Sequence, residues 1–393
     1  MNPVSSSLNK RYIELDSLRG LAALTVFFSH ALSMINLKDR PYANLIEKSV
    51  LHIFWDGAAA VVLFFVLSGF VLALPYVGEK EKPVDFIPFI IRRIFRIYPA
   101  YYAALAISIL LKFYVFRMGG LNGLSTFMTQ FWDWPNEHLT WSSVIKHMIM
   151  IGPKYSMGEI DPIIWSLVVE MKVSLVFPFI IPLIRRIKTL WAAAAFFVVS
   201  VAIYEITKIE ILSYIPLFIL GGLIARFRQP LVDWFRKLPV WVCLVIGAAG
   251  IVLYTFRYSV PELPHINYTR QNFVIGFGVA LIILLVISRQ QLSSIFSLAS
   301  LKYLGDVSYS FYLLHFPILM TVTSLIYPGS GSVKAPWVIS LILSLSLPYL
   351  TYRWVERPFQ EVGRTAAKMA KGLLDKGFAR LPSVTGNNNQ ISG

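Results

Sequence analysis

Cysteine is all but missing from this 393-residue chain, which holds only Cys243. An intrachain disulfide is therefore excluded, and Cys243, set in the apolar run WVCLVIGAAG, reads as a packing residue. Charge is scarce too. Asp, Glu, Lys and Arg make up 15% of the residues, against about 25% in an average soluble chain. Also missing are a GxSxG elbow, a Gly-rich phosphate loop and any cluster with metal-ligand spacing. A Ser-triad hydrolase and a metalloenzyme are thereby disfavoured, and no metal is expected. The N-terminus has no small-residue cleavage site; its charged residues lead directly into a helix, so no signal peptide is expected.

Long apolar runs are what the chain has in place of these. Hydrophobic residues reach 56% and mean hydropathy is +0.63, the composition of an integral membrane protein. Ten runs read as transmembrane helices, roughly 18–36, 53–77, 97–116, 162–184, 190–207, 210–226, 239–256, 272–288, 303–326 and 336–354. The fold class expected is an all-α integral membrane bundle of about ten helices. The net charge of +15 raises a nucleic-acid partner as one explanation and the positive-inside rule as another. Sorting Lys and Arg by loop decides between them. With the N-terminus inside, 24 of the 36 fall on the inner side and 11 on the outer, with Lys172 inside a run. That asymmetry puts both termini in the cytoplasm and removes the need for nucleic acid.

The transmembrane domain reads as residues 1–360, followed by a tail, 361–393, that is basic and then Ser/Asn/Gly-rich and disordered. The basic part suits anionic lipid. Segment 117–161 is the longest outer loop. It carries Phe131, Trp132, Trp134 and Trp141, and Ser143–Ile151 suits an interfacial helix. Its aromatics fit stacking against sugar rings, or equally an interfacial belt.

Within this apolar setting a few ionisable residues stand out. LDSLRGLAALTVFFSH, Leu15 to His30, places Arg19 and His30 eleven residues apart, three helical turns plus about 20°, so both project from nearly one face. His30 then lies roughly 16 Å deeper than Arg19, near the bilayer centre, where an ionisable side chain is a functional-site hypothesis. Glu170 in WSLVVE and His315 in SYSFYLLHFP reach overlapping depths. Together with His30 they form a plausible proton-transfer constellation. The plainer alternative is a buried histidine bonded to a carbonyl, with Glu170 and Lys172 neutralising each other. Ser308, Tyr312 and His315 share a helical face. Arg92, Arg93 and Arg96 in RRIFRIYP suit the pyrophosphate and 3′-phosphate of coenzyme A. They equally suit topogenic charge near anionic lipid. In FFVLSGF, Ser68 and Gly69 are small enough to let helices approach closely.

Taken in order, LDSLRGLAALTVFFSH, FFVLSGF, RRIFRIYP, WSLVVE, SYSFYLLHFP and the closing WVERP (Trp354 to Pro358) resemble the acyltransferase-3 family of membrane acyltransferases, over about residues 12–360. The resemblance implies ten helices in the bacterial inner membrane, an acyl-CoA donor (acetyl-CoA) reached from the cytoplasm, and a saccharide acceptor on the far side. It implies His30 as the catalytic residue and Arg19 as its essential companion. It also implies Arg93 and Arg96, with Arg92, at the coenzyme, and Glu170, Ser308, Tyr309 and His315 as supporting residues. Asp16, Ser68, Trp165 and Tyr312 complete the expected pocket. Many relatives append a hydrolase-like domain; this chain is expected to work without one or with a separate partner. The function expected is transfer of an acyl group, acetyl first, from acyl-CoA to a hydroxyl of an envelope saccharide or lipid-linked glycan. A proton-coupled transporter or flippase for such a glycan, and acylation of a non-sugar acceptor, are the alternatives. Membrane lipid is the one further partner expected, and nothing in the sequence sets an oligomeric state.

Overall fold

The computed structural model describes residues 12–36, 45–46, 48–78, 82–116, 119–127, 132, 141–150, 160–260 and 267–379. Phe131 and Trp134 of the aromatic loop and the last fourteen residues of the tail lie outside these. The described residues fold as helices: α1 (Ile13–Ser33), α2 (Gly57–Ala73), α3 (Phe86–Leu110), α4 (Trp141–Ile149), α5 (Trp165–Arg186), α6 (Leu190–Thr207), α7 (Ile215–Arg226), α8 (Arg228–Lys237), α9 (Val240–Tyr254), α10 (Phe256–Ser259), α11 (Tyr268–Ser288), α12 (Gln290–Phe296), α13 (Ala299–Ser330), α14 (Lys334–Thr351) and α15 (Arg357–Ala379).

Each of the ten apolar runs overlaps a helix, but not every one of these helices is long and apolar enough to count as a span. Six segments among the described residues are long and apolar enough to cross a membrane, Phe86–Val115, Pro162–Arg186, Leu190–Thr207, Tyr268–Ser288, Ala299–Ser330 and Lys334–Asp375. The pair α7 and α8, bent by 70°, makes a seventh if counted as one span. Helices α2 and α9 are apolar but shorter. Helix α1 is diluted by Asp16, Arg19 and His30, and it turns its apolar face into the bundle rather than to lipid. The regular structure of the described residues is all helical, and the protein is thus a multi-pass membrane protein.

Two close crossings set the geometry of the site. A Cβ on Gly20 of α1 would lie 2.5 Å from the backbone of Leu304, and one on Gly305 of α13 would lie 2.5 Å from that of Asp16. Gly69 of α2 and Gly221 of α7 are likewise pressed on Phe218 and Val66 backbone, with virtual Cβ contacts of 2.0 and 1.9 Å. Only hydrogen in place of Cβ permits these approaches, which replace a hydrophobic driving force that lipid cannot supply. Ten residues beyond Gly20 is His30, and ten beyond Gly305 is His315. Since Gly20 meets Gly305's neighbour and His30 meets His315, α1 and α13 run parallel and in register.

Helix α4 keeps Trp141, Ile145, Met148 and Ile149 exposed while its last turn is tied to α3. Tyr98, Tyr101 and Tyr102 of α3 donate their hydroxyls to the carbonyls of Ile149, His147 and Met148, at 2.7, 2.7 and 3.0 Å. These are last-turn carbonyls without intrahelical partners, so one helix caps another. Helix α15 crosses position 360 without a break and packs along α3, with Lys371 Nζ 2.6 Å from Asp85 and Gly363 against Phe95.

Candidate active site

Two cavities follow one another along the bundle axis, and Phe65 and Tyr312 line both. The larger, about 890 Å³, lies at the Tyr12 end of α1 and is rich in arginine. The smaller, about 300 Å³, lies at the His30 end and is mostly apolar and aromatic.

The arginine cavity holds Asp16, Arg19, Ser68, Arg92, Arg93, Arg96, Glu170, Ser308 and Tyr309. Arg19 Nη1 contacts Asp16 Oδ1 at 3.2 Å, one helical turn back. Arg93 is buried; its Nε donates to Ser174 Oγ at 3.0 Å and its Nη2 pairs with Glu170 Oε1. Ser68 Oγ also donates to Glu170 Oε1, at 3.2 Å. Arg92 Nη2 donates to the Tyr76 hydroxyl at 2.9 Å. Glu170 therefore neutralises Arg93, not Lys172. It also stands on the other side of Phe65 and Tyr312 from His30, so the expected trio of His30, Glu170 and His315 is divided. Arg19 and His30 are divided in the same way. Ser308 donates to the Gly305 carbonyl of its own helix, and Tyr309 to the Ile97 carbonyl, at 2.8 Å each. Glu356, at the end of the π-helical turn Tyr352–Glu356, faces the same cavity and accepts from Ser310 Oγ at 2.9 Å. Sequence singled out its motif, WVERP, but not the residue.

The second cavity holds the histidines' business end. His30 Nδ1 lies 3.0 Å from His315 Nε2, and His315 Nδ1 lies 2.7 Å from the Tyr312 carbonyl. Ring planes differ by 5° with centroids 5.2 Å apart, so the imidazoles meet edge to edge. A carbonyl oxygen only accepts, so His315 Nδ1 must carry the proton. In a neutral pair His315 Nε2 then accepts from His30 Nδ1–H, and His30 Nε2 is left as a lone pair. His30 lines the cavity; His315 is fully buried behind it.

The boundary between the cavities is firm on one side. The Tyr312 hydroxyl bonds Ser166 Oγ at 2.8 Å and donates to the Ile163 carbonyl at 3.2 Å. Ile163 is in turn fixed by Asp161, whose Oδ1 accepts from its N–H at 3.4 Å. Burial pushes the Asp161 carboxyl up to about 8, against the Ile163 N–H and the Ser108 hydroxyl, which pull it down. On the other side Phe65 meets Trp165, Tyr214 and Phe218 through ring contacts, with centroids 5.3 to 6.2 Å apart. Trp165 lies on the histidine side. Phe65 sits in FFVLSGF three residues before Ser68, and its signal, an aromatic one turn from the small pair, is common to every apolar helix.

A model of the family described as acyltransferase domain, acyltransferase-3, matches residues 12–353. Among curated proteins the chain is similar to the O-acetyltransferase OatA of Staphylococcus aureus, 25% identical over 84% of this chain and 55% of that protein. It is similar to the peptidoglycan O-acetyltransferase OatA of Listeria monocytogenes, 23% identical over 94% of this chain and 59% of that one. Nodulation protein 10 of Rhizobium leguminosarum bv. viciae is 24% identical over 91% of this chain and 96% of its own length. The chain thus spans little more than half the length of the OatA relatives. No solved structure matches. With the model covering residues 12–353, from the start of α1 to the turn after α14, the chain belongs to the acyltransferase-3 family.

Proposed function

We propose that this protein is an O-acyltransferase of the bacterial inner membrane that moves a small acyl group, acetyl first, from acyl-CoA to a hydroxyl of a cell-envelope saccharide. The observation that carries this reading is the pair of cavities meeting at Phe65 and Tyr312, one cationic and one presenting a histidine lone pair. The names of the relatives, O-acetyltransferases, supply the chemistry to which such an arrangement is suited. The excess of Lys and Arg on one side favours cytoplasmic termini, and that orientation supports an arginine cavity open to the side where acyl-CoA is found.

Arg92 and Arg96, beside the neutralised Arg93, are the groups for the coenzyme's phosphates, and Arg19 adds charge deeper in. The pantetheine arm then points along the bundle axis toward Phe65 and Tyr312. His30 Nε2 takes the proton of the acceptor hydroxyl as its oxygen attacks the thioester carbonyl. The C–S bond breaks, and the coenzyme leaves as thiolate. The same lone pair would serve if His30 were itself acylated first. Glu170 belongs to the donor's side, where it holds Arg93.

Membranes containing the protein, supplied with labelled acetyl-CoA, are expected to place label in saccharide. His30→Ala should abolish this, a loss of at least about 10²-fold, while the protein stays folded in the membrane. Normal labelling by His30→Ala would overturn the catalytic assignment, and movement of unlabelled glycan without acetylation would favour a transporter.

A further inference from the structure

Beside His30 the smaller cavity is walled by Trp165, Tyr214 and Tyr268, and Asn272 of α11 is the one carboxamide among its described lining residues. Asn272 is not free to rotate. Arg257 Nη2 lies 2.9 Å from Asn272 Oδ1, and Arg257 Nε lies 3.0 Å from Gln271 Oε1. The guanidinium in turn sits 3.9 Å over the Tyr268 ring. A guanidinium only donates, so the oxygen of Asn272 must face it, and the amide nitrogen, a double donor, is what Asn272 has left for the cavity. Two polar atoms here lack a hydrogen-bond partner among the described residues, although their two groups attract each other electrostatically. They are Arg257 Nη1 and Oδ2 of Asp56, the residue before cavity-lining Gly57. Buried polar atoms are seldom left so unless water or a ligand meets them.

We propose that this cavity is the acceptor subsite: Asn272 Nδ2 holds an oxygen of one sugar ring, Trp165, Tyr214 and Tyr268 cover its apolar faces, and Arg257 is the positioning residue that fixes the Asn272 amide. This rests on the acyltransferase reading above. A volume of about 300 Å³, at the lower end for small-molecule sites, takes one ring of a glycan, not a stretch of chain. The ligand class is a saccharide with an oxygen acceptor, hydroxyl or acetamido carbonyl, placed so that a neighbouring hydroxyl reaches His30 Nε2.

The test uses the full-length protein in membranes, labelled acetyl-CoA, and saccharide extracted from the envelope of the producing cells as the titrated acceptor. Asn272→Asp keeps, and strengthens, the contact to Arg257 while deleting the N–H donors. It should raise the KM for saccharide about tenfold, the loss of one hydrogen bond to a ligand, and leave the KM for acetyl-CoA within about twofold. Arg257→Gln should raise the saccharide KM as well, with unchanged acetyl-CoA KM. Wild-type saccharide KM in Asn272→Asp overturns the subsite, and so does an equal rise in both KM values, which marks a general disturbance of the fold. The second readout is binding of labelled saccharide to His30→Ala protein, which transfers nothing: binding should persist there and be lost in His30→Ala/Asn272→Asp. Binding with this pattern but no acetyl transfer by the wild type would sink the acyltransferase reading while leaving the saccharide subsite standing.

Discussion

His315 acts on the proposed reaction through one proton. Its Nδ1–H is committed to the Tyr312 carbonyl, so its Nε2 can only accept from His30 in the neutral pair. Removing it frees His30 to place its proton on either nitrogen, and the cavity-facing lone pair is lost in part of the population. His315→Phe keeps a flat ring in the buried slot but accepts no proton. It should lower kcat for acetyl transfer severalfold, with both KM values little changed, because His30 keeps its base but loses its fixed tautomer. Initial rates against each substrate decide this; a rise confined to KM would mean that His315 shapes the pocket instead. His30 itself was legible in the sequence because a histidine three turns deep in an apolar run has little else to explain it. Its orientation was not, since that depends on a backbone carbonyl of α13. The alternative partner for Glu170, Lys172, rested on proximity alone. Lys172 is two residues on, about 200° around the helix, and residues so spaced do not face each other. Arg93, 77 positions away, does face it. Asn272 stands at the first position of a predicted span, where an amide looks like an ordinary helix-end residue until Arg257 is seen to hold it.

Helices α1 and α13 carry the site because their backbones touch at Gly20 and Gly305. The register that joins those glycines also joins the two histidines, so a change at one end must be felt at the other. In Gly305→Val, the new Cβ alone falls within 2.5 Å of the Asp16 carbonyl carbon, and no flexible side chain stands there to give way. Either the helices part or the bundle misassembles. Overpacking of this kind costs about 1–3 kcal/mol or more. The expected outcome is a lower melting temperature in detergent and loss of acetyl transfer, whereas valine at exposed Gly372 of α15, with open space around it, should change neither. Thermal unfolding of the purified variants checks it; a Gly305→Val protein that melts like wild type would show that the crossing is not close. That these helices exist was plain from hydropathy. Which of them cross, and in what register, was not, because single glycines in membrane helices are frequent and only a pair from distant parts of the chain defines a crossing.

Seen as a whole, the molecule is two chambers with a shared wall, and the wall is asymmetric. Tyr312 is pinned by Ser166 and the Ile163 carbonyl, whereas Phe65, with no hydrogen-bonding group, is held by packing that includes the rings of Trp165, Tyr214 and Phe218. In the proposed reaction an acyl thioester must approach from one chamber and a hydroxyl from the other, while water is kept from the thioester. A rotation of Phe65, which breaks no hydrogen bond, is the least costly way to open the wall for the acyl group alone. Closing an active site to water is what suppresses hydrolysis as a side reaction. Phe65→Ala removes the movable half of the wall. It should raise release of free acetate from acetyl-CoA severalfold in the absence of saccharide and lower the fraction of acetyl groups that reach saccharide. The same change costs about 3–5 kcal/mol of packing. Phe65→Leu, which retains most of the apolar contact with Phe218 and Tyr214, therefore separates the two effects: it should fold normally and still leak acetate above wild type. Acetate release at the wild-type level in both variants would show that Phe65 does not shield the thioester. Release that depends on intact His30 would show further that water entering through the opened wall meets the same lone pair that the acceptor hydroxyl uses.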